Sequence, residues 1–216
     1  NIENTEHDYQ LVDTAEKRAD LIKLLLAEPR ISFDTETTGT DANTADLVGL
    51  SFSIKPGTGY YIPVSAVREE AQPIVDEFKV VLENEQIEKI GQNTKYDILV
   101  LKWYGVEVKG KLFDTMLAHY LIDPDTRHGM DVLSENYLGY SPISITKLIG
   151  AKGKNQGTMR DVPVEQVVDY AAEDADVTLQ LAHIFEPKLK ELNAAKLAAE
   201  IVNPLVYVLA AIEQEG

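Results

Sequence analysis

Apolar positions recur along this chain at two periods, and the switches between them mark out strands and helices in alternation. Tyr9-Gln10-Leu11-Val12 reads as a short strand. Thr14 then caps a helix over residues 15–28, in which Leu21, Leu24 and Leu25 share one face and Pro29 ends the run. Residues 31–36, 47–54 and 59–62 read as three strands joined by turns at Thr38-Gly39 and Pro56-Gly57, the pattern of a meander. Helical spacing covers 68–82, and 87–90 is a short apolar strand. A helix follows from Asn93 or Thr94 to Tyr104, with Gly105 as its stop. Leu112-Phe113 adds an edge strand, Asp114 caps the next helix, and 130–137 is another short helix. A glycine-bearing loop over 150–158 leads into a long helical pattern over 164–192, which Pro187 is expected to kink or break. The tail from Ala194 is helical again, with an interruption near Pro204. Strands and helices in this order predict an α/β fold.

A chain of 216 residues, 44% hydrophobic and 26% charged, is ample for one packed core and ordinary for a globular protein. No apolar run approaches the roughly 20 residues that span a bilayer, so no membrane association is expected. The start, Asn1-Ile2-Glu3-Asn4, has neither the basic nor the apolar stretch of a signal peptide, and its lack of an initiator Met is expected of a fragment. With no cysteine, thiolate metal sites and disulfides are excluded, which fits a cytoplasmic setting. The formal charge of −16 opposes simple binding to a phosphate backbone. Cations held by some of the acids, or a neighbouring domain, would relieve that conflict.

Three short boxes carry the candidate chemistry. In Phe33-Asp34-Thr35-Glu36-Thr37, Asp34 and Glu36 are two apart on a strand and leave the same face. Carboxylates so close raise each other's pKa unless a cation sits between them, although a strand end meeting solvent would show the same triplet. In Gly91-Gln92-Asn93-Thr94-Lys95-Tyr96-Asp97, Asp97 falls in the first turn of a helix directly after an apolar strand. Complementing the helix dipole is the plainer account of that acid. In Tyr170-Ala171-Ala172-Glu173-Asp174, Tyr170 and Asp174 share a helix face, while Glu173 and Asp176 are expected to point elsewhere and be solvated. A tyrosine there is ordinarily core or rim. With a phenol pKa near 10 it is in any case a poor base at neutral pH, so an attacking water would need a metal to acidify it. His7, His119, His128 and His183 have no ligand spacing, and no nucleophile elbow or Walker-type loop occurs. Lys152 and Lys154 form a basic loop in an acidic chain, either solvated or set against phosphates.

Together the boxes resemble the DEDD exonuclease superfamily in its tyrosine variant, and most closely the 3′→5′ proofreading domain of bacterial DNA polymerase I (family A). The likeness rests on Phe-Asp-Thr-Glu-Thr, Gly-Gln-Asn-x-Lys-Tyr-Asp, Gly-Lys-Asn-Gln and Tyr-Ala-Ala-Glu-Asp-Ala-Asp-Val-Thr and runs through nearly the whole chain. It implies a ribonuclease-H-like mixed sheet of about five strands flanked by helices. Asp34 would bridge two divalent cations, magnesium or manganese with zinc an option in one site; Glu36 and Asp174 would complete one site, and Asp97 would serve the other through water. Tyr170 would align the nucleophile. Thr37, Gln92, Asn93 and Tyr96 would lie near the terminal nucleotide, with Lys152 and Lys154 on the phosphate backbone. The implied reaction is release of 5′-mononucleotides from a single-stranded or frayed DNA 3′ end by a monomer with a polymerase domain in cis. Residues 1–192 would form the exonuclease domain and 193–216 a helical junction toward that polymerase domain.

One departure stands out. Members of this family carry a bulky leucine shortly after the first box, wedged between the last two bases. Here that stretch is Thr38-Gly39-Thr40-Asp41, so a weaker grip on the terminal bases is expected unless Leu47 substitutes. Two other readings share the boxes: a ribonuclease D-type exoribonuclease, and an inert scaffold of the same fold. The intact set of four carboxylates and a tyrosine argues against the scaffold.

Overall fold

A computed structural model describes residues 1–215. Its strands are β1 (Asp8–Leu11), β2 (Arg30–Thr37), β3 (Leu47–Ser53), β4 (Thr58–Pro63), β5 (Glu88–Gly91) and β6 (Leu112–Asp114). They form one sheet in the order β1-β4-β3-β2-β5-β6, the six strands of the periodicity where the family resemblance implied about five. The middle is the anticipated meander, with β3 antiparallel to both β2 and β4. The remaining pairs, β1 with β4, β2 with β5 and β5 with β6, are parallel.

The helices are α1 (Ala15–Leu26), α2 (Arg68–Glu77), α3 (Lys79–Leu82), α4 (Thr94–Trp103), α5 (Thr115–Ile122), α6 (Met130–Leu138), α7 (Ile145–Ile149), α8 (Val164–Glu191), α9 (Ala195–Leu197) and α10 (Asn203–Glu215). The expected caps are in place. Thr14 accepts the Lys17 N–H at 3.2 Å, and Asp114 accepts those of Met116 and Leu117 at 2.9 and 3.1 Å. Gly105, at φ +69°, follows α4 in a backbone conformation that a side chain would strain.

Alternation along β2 separates two cores. Ile31 and Phe33 join the larger core with Leu50, Phe52, Ile62 and the buried faces of α1 to α4. Ser32, Asp34 and Glu36 face the other way, toward α8. That second face is built from small residues: Gly49, Ser51, Ser53 and Gly59 on the neighbouring strands are buried. The helix answers with Ala171, Ala172, Ala175 and Ala182, all fully buried. At Gly59 a Cβ would lie 2.6 Å from the Ala172 carbonyl oxygen and 2.9 Å from its Cα, so helix backbone and strand backbone are in direct contact.

Three expectations are corrected. Pro187 lies within α8 and does not break it. It sits on the exposed side near the C-terminus together with His183, whose carbonyl loses its partner there and is free to meet water. Near Pro204 the tail is not interrupted either; a π-helical turn, Ala198–Val202, joins α9 to α10 and absorbs the register change ahead of the proline. The stretch Ala195–Glu215 is also long and apolar enough to cross a membrane, at a mean hydropathy of 1.6, against the expectation that no run approached that length. One side of it is packed on protein: Val206 and Ala210 enter the larger core, the Asn203 side-chain oxygen accepts the Asp114 N–H at 3.2 Å, and Lys95 pairs with Glu213 at 2.6 Å.

A methyl group at position 59 must push α8 off the sheet. Gly59→Ala is therefore expected to destabilise by roughly 1–3 kcal/mol, the usual scale of overpacking. That corresponds to a fall in Tm of about 2–4 °C per kcal/mol for a chain of this size, read by calorimetry.

Candidate active site

Strand β2 delivers Asp34 and Glu36 from the α8 side of the sheet, and α8 delivers Asp174 one helical turn after Tyr170. Oxygens of Asp34, Glu36 and Asp174 all lie within 4.8 Å of one another. Asp97, in the first turn of α4, is turned inward to the backbone between the two β2 acids. Its Oδ1 accepts the Thr35 N–H at 3.1 Å and the Thr35 hydroxyl at 2.5 Å. Asp34, Glu36 and Asp174 are thus drawn into one tight cluster, while Asp97 lies outside it, held by Thr35 and near enough for its charge to raise the Glu36 carboxyl.

Such a cluster is electrostatically costly. Burial pushes the Asp34 carboxyl up to about 7. Burial likewise holds Glu36, Asp97 and Asp174 well above the ordinary carboxylate range, and the charge of Asp34 raises all three further. Glu36 Oε1 is buried without any hydrogen-bond partner. An unpartnered carboxylate oxygen facing two other carboxylates is the arrangement a cation relieves. The donors are all oxygens, which suits hard divalent ions such as magnesium or manganese. Tyr170 is pushed far above its ordinary value, by burial first and then by the charges of Asp174, Glu36 and Asp34. Its phenol stays protonated and offers a hydrogen-bond donor.

Asp34, Glu36 and Asp174, with Tyr170, open onto a cleft of about 480 Å³, which Asp97 does not line. Thr37, Asn93 and Tyr96 line it as expected, together with Thr35, Thr38, Gly39 and Thr40. The Thr37 and Tyr96 hydroxyls are 2.5 Å apart and both bond the Gly39 carbonyl. Asn93 adopts φ +60°, which turns the chain sharply from β5 into α4. Gln92 does not line the cleft; its amide donates to the His128 carbonyl at 2.8 Å and its oxygen accepts the Thr115 hydroxyl. Lys152 and Lys154 are exposed on their loop, outside the lining, while Gln156 and Gly157 of the same loop reach it.

Leu47 cannot replace the missing wedge, because it is fully buried in the larger core and its N–H donates to the Tyr104 hydroxyl. Nor are Glu173 and Asp176 solvated. Asp176 accepts the Tyr9 hydroxyl, the Gly57 N–H and the Gln180 amide, and Glu173 accepts the Tyr140 hydroxyl and the Ile143 N–H. The far wall, from Ile145 and Ile149 of α7 to Thr158 and Met159, had no counterpart among the sequence expectations. The four-residue spacing of its two isoleucines is the one sign of it in the sequence.

Residues 9–190 match the sequence profile of the 3′–5′ exonuclease family. The chain belongs to that family. It is 42% identical to the DNA polymerase I of Pseudomonas aeruginosa over 222 aligned positions, which cover 98% of this chain and 24% of the polymerase. The chain therefore spans about a quarter of the length of this curated relative. Among solved structures, Brucella melitensis NrnC with bound Mg²⁺ superposes at a TM-score of 0.75 and 22% identity, covering 98% of this chain and 95% of NrnC. Escherichia coli RNase D, an exoribonuclease involved in structured RNA processing, gives 0.73 at 19% identity, covering 97% of this chain and 51% of RNase D. At such identities these two likenesses speak for the fold, that of ribonuclease-H-like exonucleases. The matched span of this 3′–5′ exonuclease domain contains Asp34, Glu36 and Asp174, the three acids of the cluster.

Raised carboxyl pKa values make the folded, metal-free exonuclease bind protons more tightly than the unfolded chain does. The contribution of these carboxyls to stability is then full below the ordinary carboxylate range and is lost as pH climbs toward and past 7. Thermal melts in chelator are expected to show Tm dropping from pH 5 to pH 8, with Glu36→Gln shallowing the slope. Added Mn²⁺ should restore Tm at pH 8 far more than at pH 5, because protons and cations compete for the same oxygens.

Proposed function

We propose that this exonuclease domain removes 5′-mononucleotides from single-stranded or frayed DNA 3′ ends, with two divalent cations held by Asp34, Glu36, Asp97 and Asp174. The observation that carries this reading is the cluster of a half-buried Asp34 with buried Glu36 and Asp174, in which Glu36 Oε1 has no hydrogen-bond partner. The Mg²⁺ in the similar NrnC supports magnesium as an occupant, manganese and zinc being alternatives of the same charge. Cations bound there would acidify a water and stabilise both the entering and the leaving oxygen of the phosphodiester.

The protein's own groups do the rest. Asp34, Glu36 and Asp174 fix the donor geometry on rigid elements, and Asp97 is held by Thr35 on the Asp34 side. The Tyr170 phenol, protonated at every working pH, orients the attacking water as a donor and takes no proton from it. Thr37, Asn93 and Tyr96 present hydroxyl and amide groups to the terminal nucleotide, with Gln92 behind them. The loop carrying Lys152 and Lys154 supplies positive charge toward the phosphates upstream. Binding of cations offsets part of the −16 charge, which otherwise repels the strand.

The likeness to DNA polymerase I supports a proofreading role in the bacterial cytoplasm, with a polymerase domain in cis. On this reading residues 1–192 form the catalytic domain and 193–216 lead toward the polymerase, the whole acting as a monomer. A ribonuclease D-type reading has one observation in its favour, the fold it shares with RNase D. Parallel digestion of matched, end-labelled DNA and RNA strands separates the two.

With Mg²⁺ or Mn²⁺ a one-nucleotide ladder growing from the DNA 3′ end is expected, and chelation should abolish it. Asp34→Ala should lower the rate roughly 10²–10³-fold, the scale of losing one electrostatic contact to a transition state. Tyr170→Phe should lose roughly 10–100-fold, as is usual for a group acting around a metal and not on it. No metal-dependent cleavage of either strand would overturn the reading. Thr40 lines the cleft where the family's leucine is missing. Thr40→Leu is accordingly expected to lower KM for a single strand, and an unchanged KM would show that no apolar contact is lacking.

A further inference from the structure

Helix α7 forms one wall of the cleft and yet buries none of its five residues. Leu148 and Ile149 rest half-buried against the small core around Met159, and the Gly157 N–H donates to the Ile149 carbonyl at 2.8 Å. Those contacts hold its C-terminal end. Before its first turn the chain comes off α6 through Gly139, at φ +63°, and crosses Tyr140, Ser141, Pro142 and Ile143. A single side chain from α8 meets this crossing twice. The Glu173 carboxylate accepts the Tyr140 hydroxyl through one oxygen and the Ile143 N–H, at 2.6 Å, through the other. Glu173 is fully buried, though it follows the solvated-looking pattern of an exposed helix position.

A carboxylate is seldom taken wholly out of water for shape alone, since an apolar residue of similar size would pack there without desolvation. Its two oxygens here form charge-assisted bonds, the stronger and more directional kind. They fix the segment that aims α7. Glu173 also sits next to Asp174 on α8, so the element that places a metal ligand on one side of the cleft places the opposite wall as well.

We propose that Glu173 is a positioning residue for substrate: its carboxylate holds the Tyr140–Ile143 crossing, so that Ile145 and Ile149 of α7 stand as the wall against which the nucleic-acid strand lies. The role rests on the nucleic-acid reading given above. Glu173 touches neither substrate nor cation. Removing it should loosen the wall while leaving the carboxylate cluster intact.

The test compares Glu173→Ala, Glu173→Gln and Tyr140→Phe in the whole chain. For Glu173→Ala, KM for a single-stranded oligonucleotide should rise about tenfold, the worth of one or two charge-assisted bonds, with kcat within about threefold. Mn²⁺ affinity by calorimetry, which loses only the nearby Glu173 charge acting on Asp174, should stay within about threefold, as should hydrolysis of the p-nitrophenyl ester of thymidine 5′-monophosphate, too small to need the wall. Glu173→Gln keeps an acceptor for Ile143 and a partner for Tyr140 and should restore KM to within about threefold. Tyr140→Phe, which leaves α8 untouched, should raise KM by a smaller factor and serves if Glu173→Ala does not fold. Parallel losses in cation affinity and in cleavage of the small ester would overturn the proposal, as would an unchanged KM in a folded Glu173→Ala protein. Hydrogen exchange over residues 143–149 gives a readout free of activity. It should quicken about tenfold in Glu173→Ala while the sheet and α8 stay as they are, and unaltered exchange would also overturn the proposal. If the parent chain cleaves no nucleic acid, the functional reading fails, and exchange alone decides whether Glu173 anchors the wall.

Discussion

Everything in the site depends on how closely α8 lies on the sheet. The approach at Gly59, where a Cβ would stand 2.6 Å from a helix carbonyl, is nearer than any side chain allows. It is made possible by glycines and serines on three strands and by alanines on the helix. Ordinary apolar side chains would hold a helix about 10 Å from the sheet and keep acids on the two elements apart. With backbone on backbone, Asp174 comes within 4.8 Å of acids that leave a β-strand through Cβ atoms of its own. The small residues contribute little apolar burial, so the larger core on the opposite face carries more of the stability. The α8 face keeps an apolar core of its own where β5, β6, α5 and α6 meet the C-terminal half of α8, so the chemistry occupies only the part lined by small residues.

That closeness creates the repulsion that defines the site. Four carboxylates taken out of water raise one another's proton affinity, and Glu36 Oε1 has no donor to turn to. A cationic side chain such as a lysine would have settled the charge permanently and closed the site. Leaving it unsettled makes a divalent cation the natural partner and couples occupancy to pH. On the proposed function, the problem of an acidic chain meeting a polyanion would be answered at the same spot, where cations held by these acids would offset their charge toward phosphate.

How much of this was legible in the sequence follows the range of each interaction. The pairing of Asp34 with Glu36 needs only the two-residue period of a strand, and that of Tyr170 with Asp174 only the turn of a helix. Both were readable, as were the caps at Thr14 and Asp114. Glu173 and Asp176 were misread because a helix was taken to have one wet side. Helix α8 is covered along much of its length by the sheet, α5, α6 and the N-terminal strand, and nothing local to the sequence tells of that enclosure. Leu47 looked free to act as a wedge because its depth depends on Tyr104, fifty-seven residues on. The break that Pro187 would make is expected by a rule that holds inside a helix but is softened on a wet flank near its end.

The two walls of the cleft are held by different kinds of force. On the β2 and α4 side the lining residues stand on elements with fully buried faces, so their geometry is fixed by packing that no local motion can release. On the α7 side the lining stands on a five-residue helix that buries no residue, tied at one end by two bonds to Glu173 and at the other by Gly157. A processive or repetitive hydrolase must admit a strand, hold it through the reaction and let the product leave. Elements that move in such cycles come from the least stable part of a structure. Chemistry on the rigid wall and grip on the lightly held one would let the exonuclease keep its cation geometry constant while the strand advances. On the proposed roles the two requirements would meet in adjacent residues of one helix, Glu173 and Asp174.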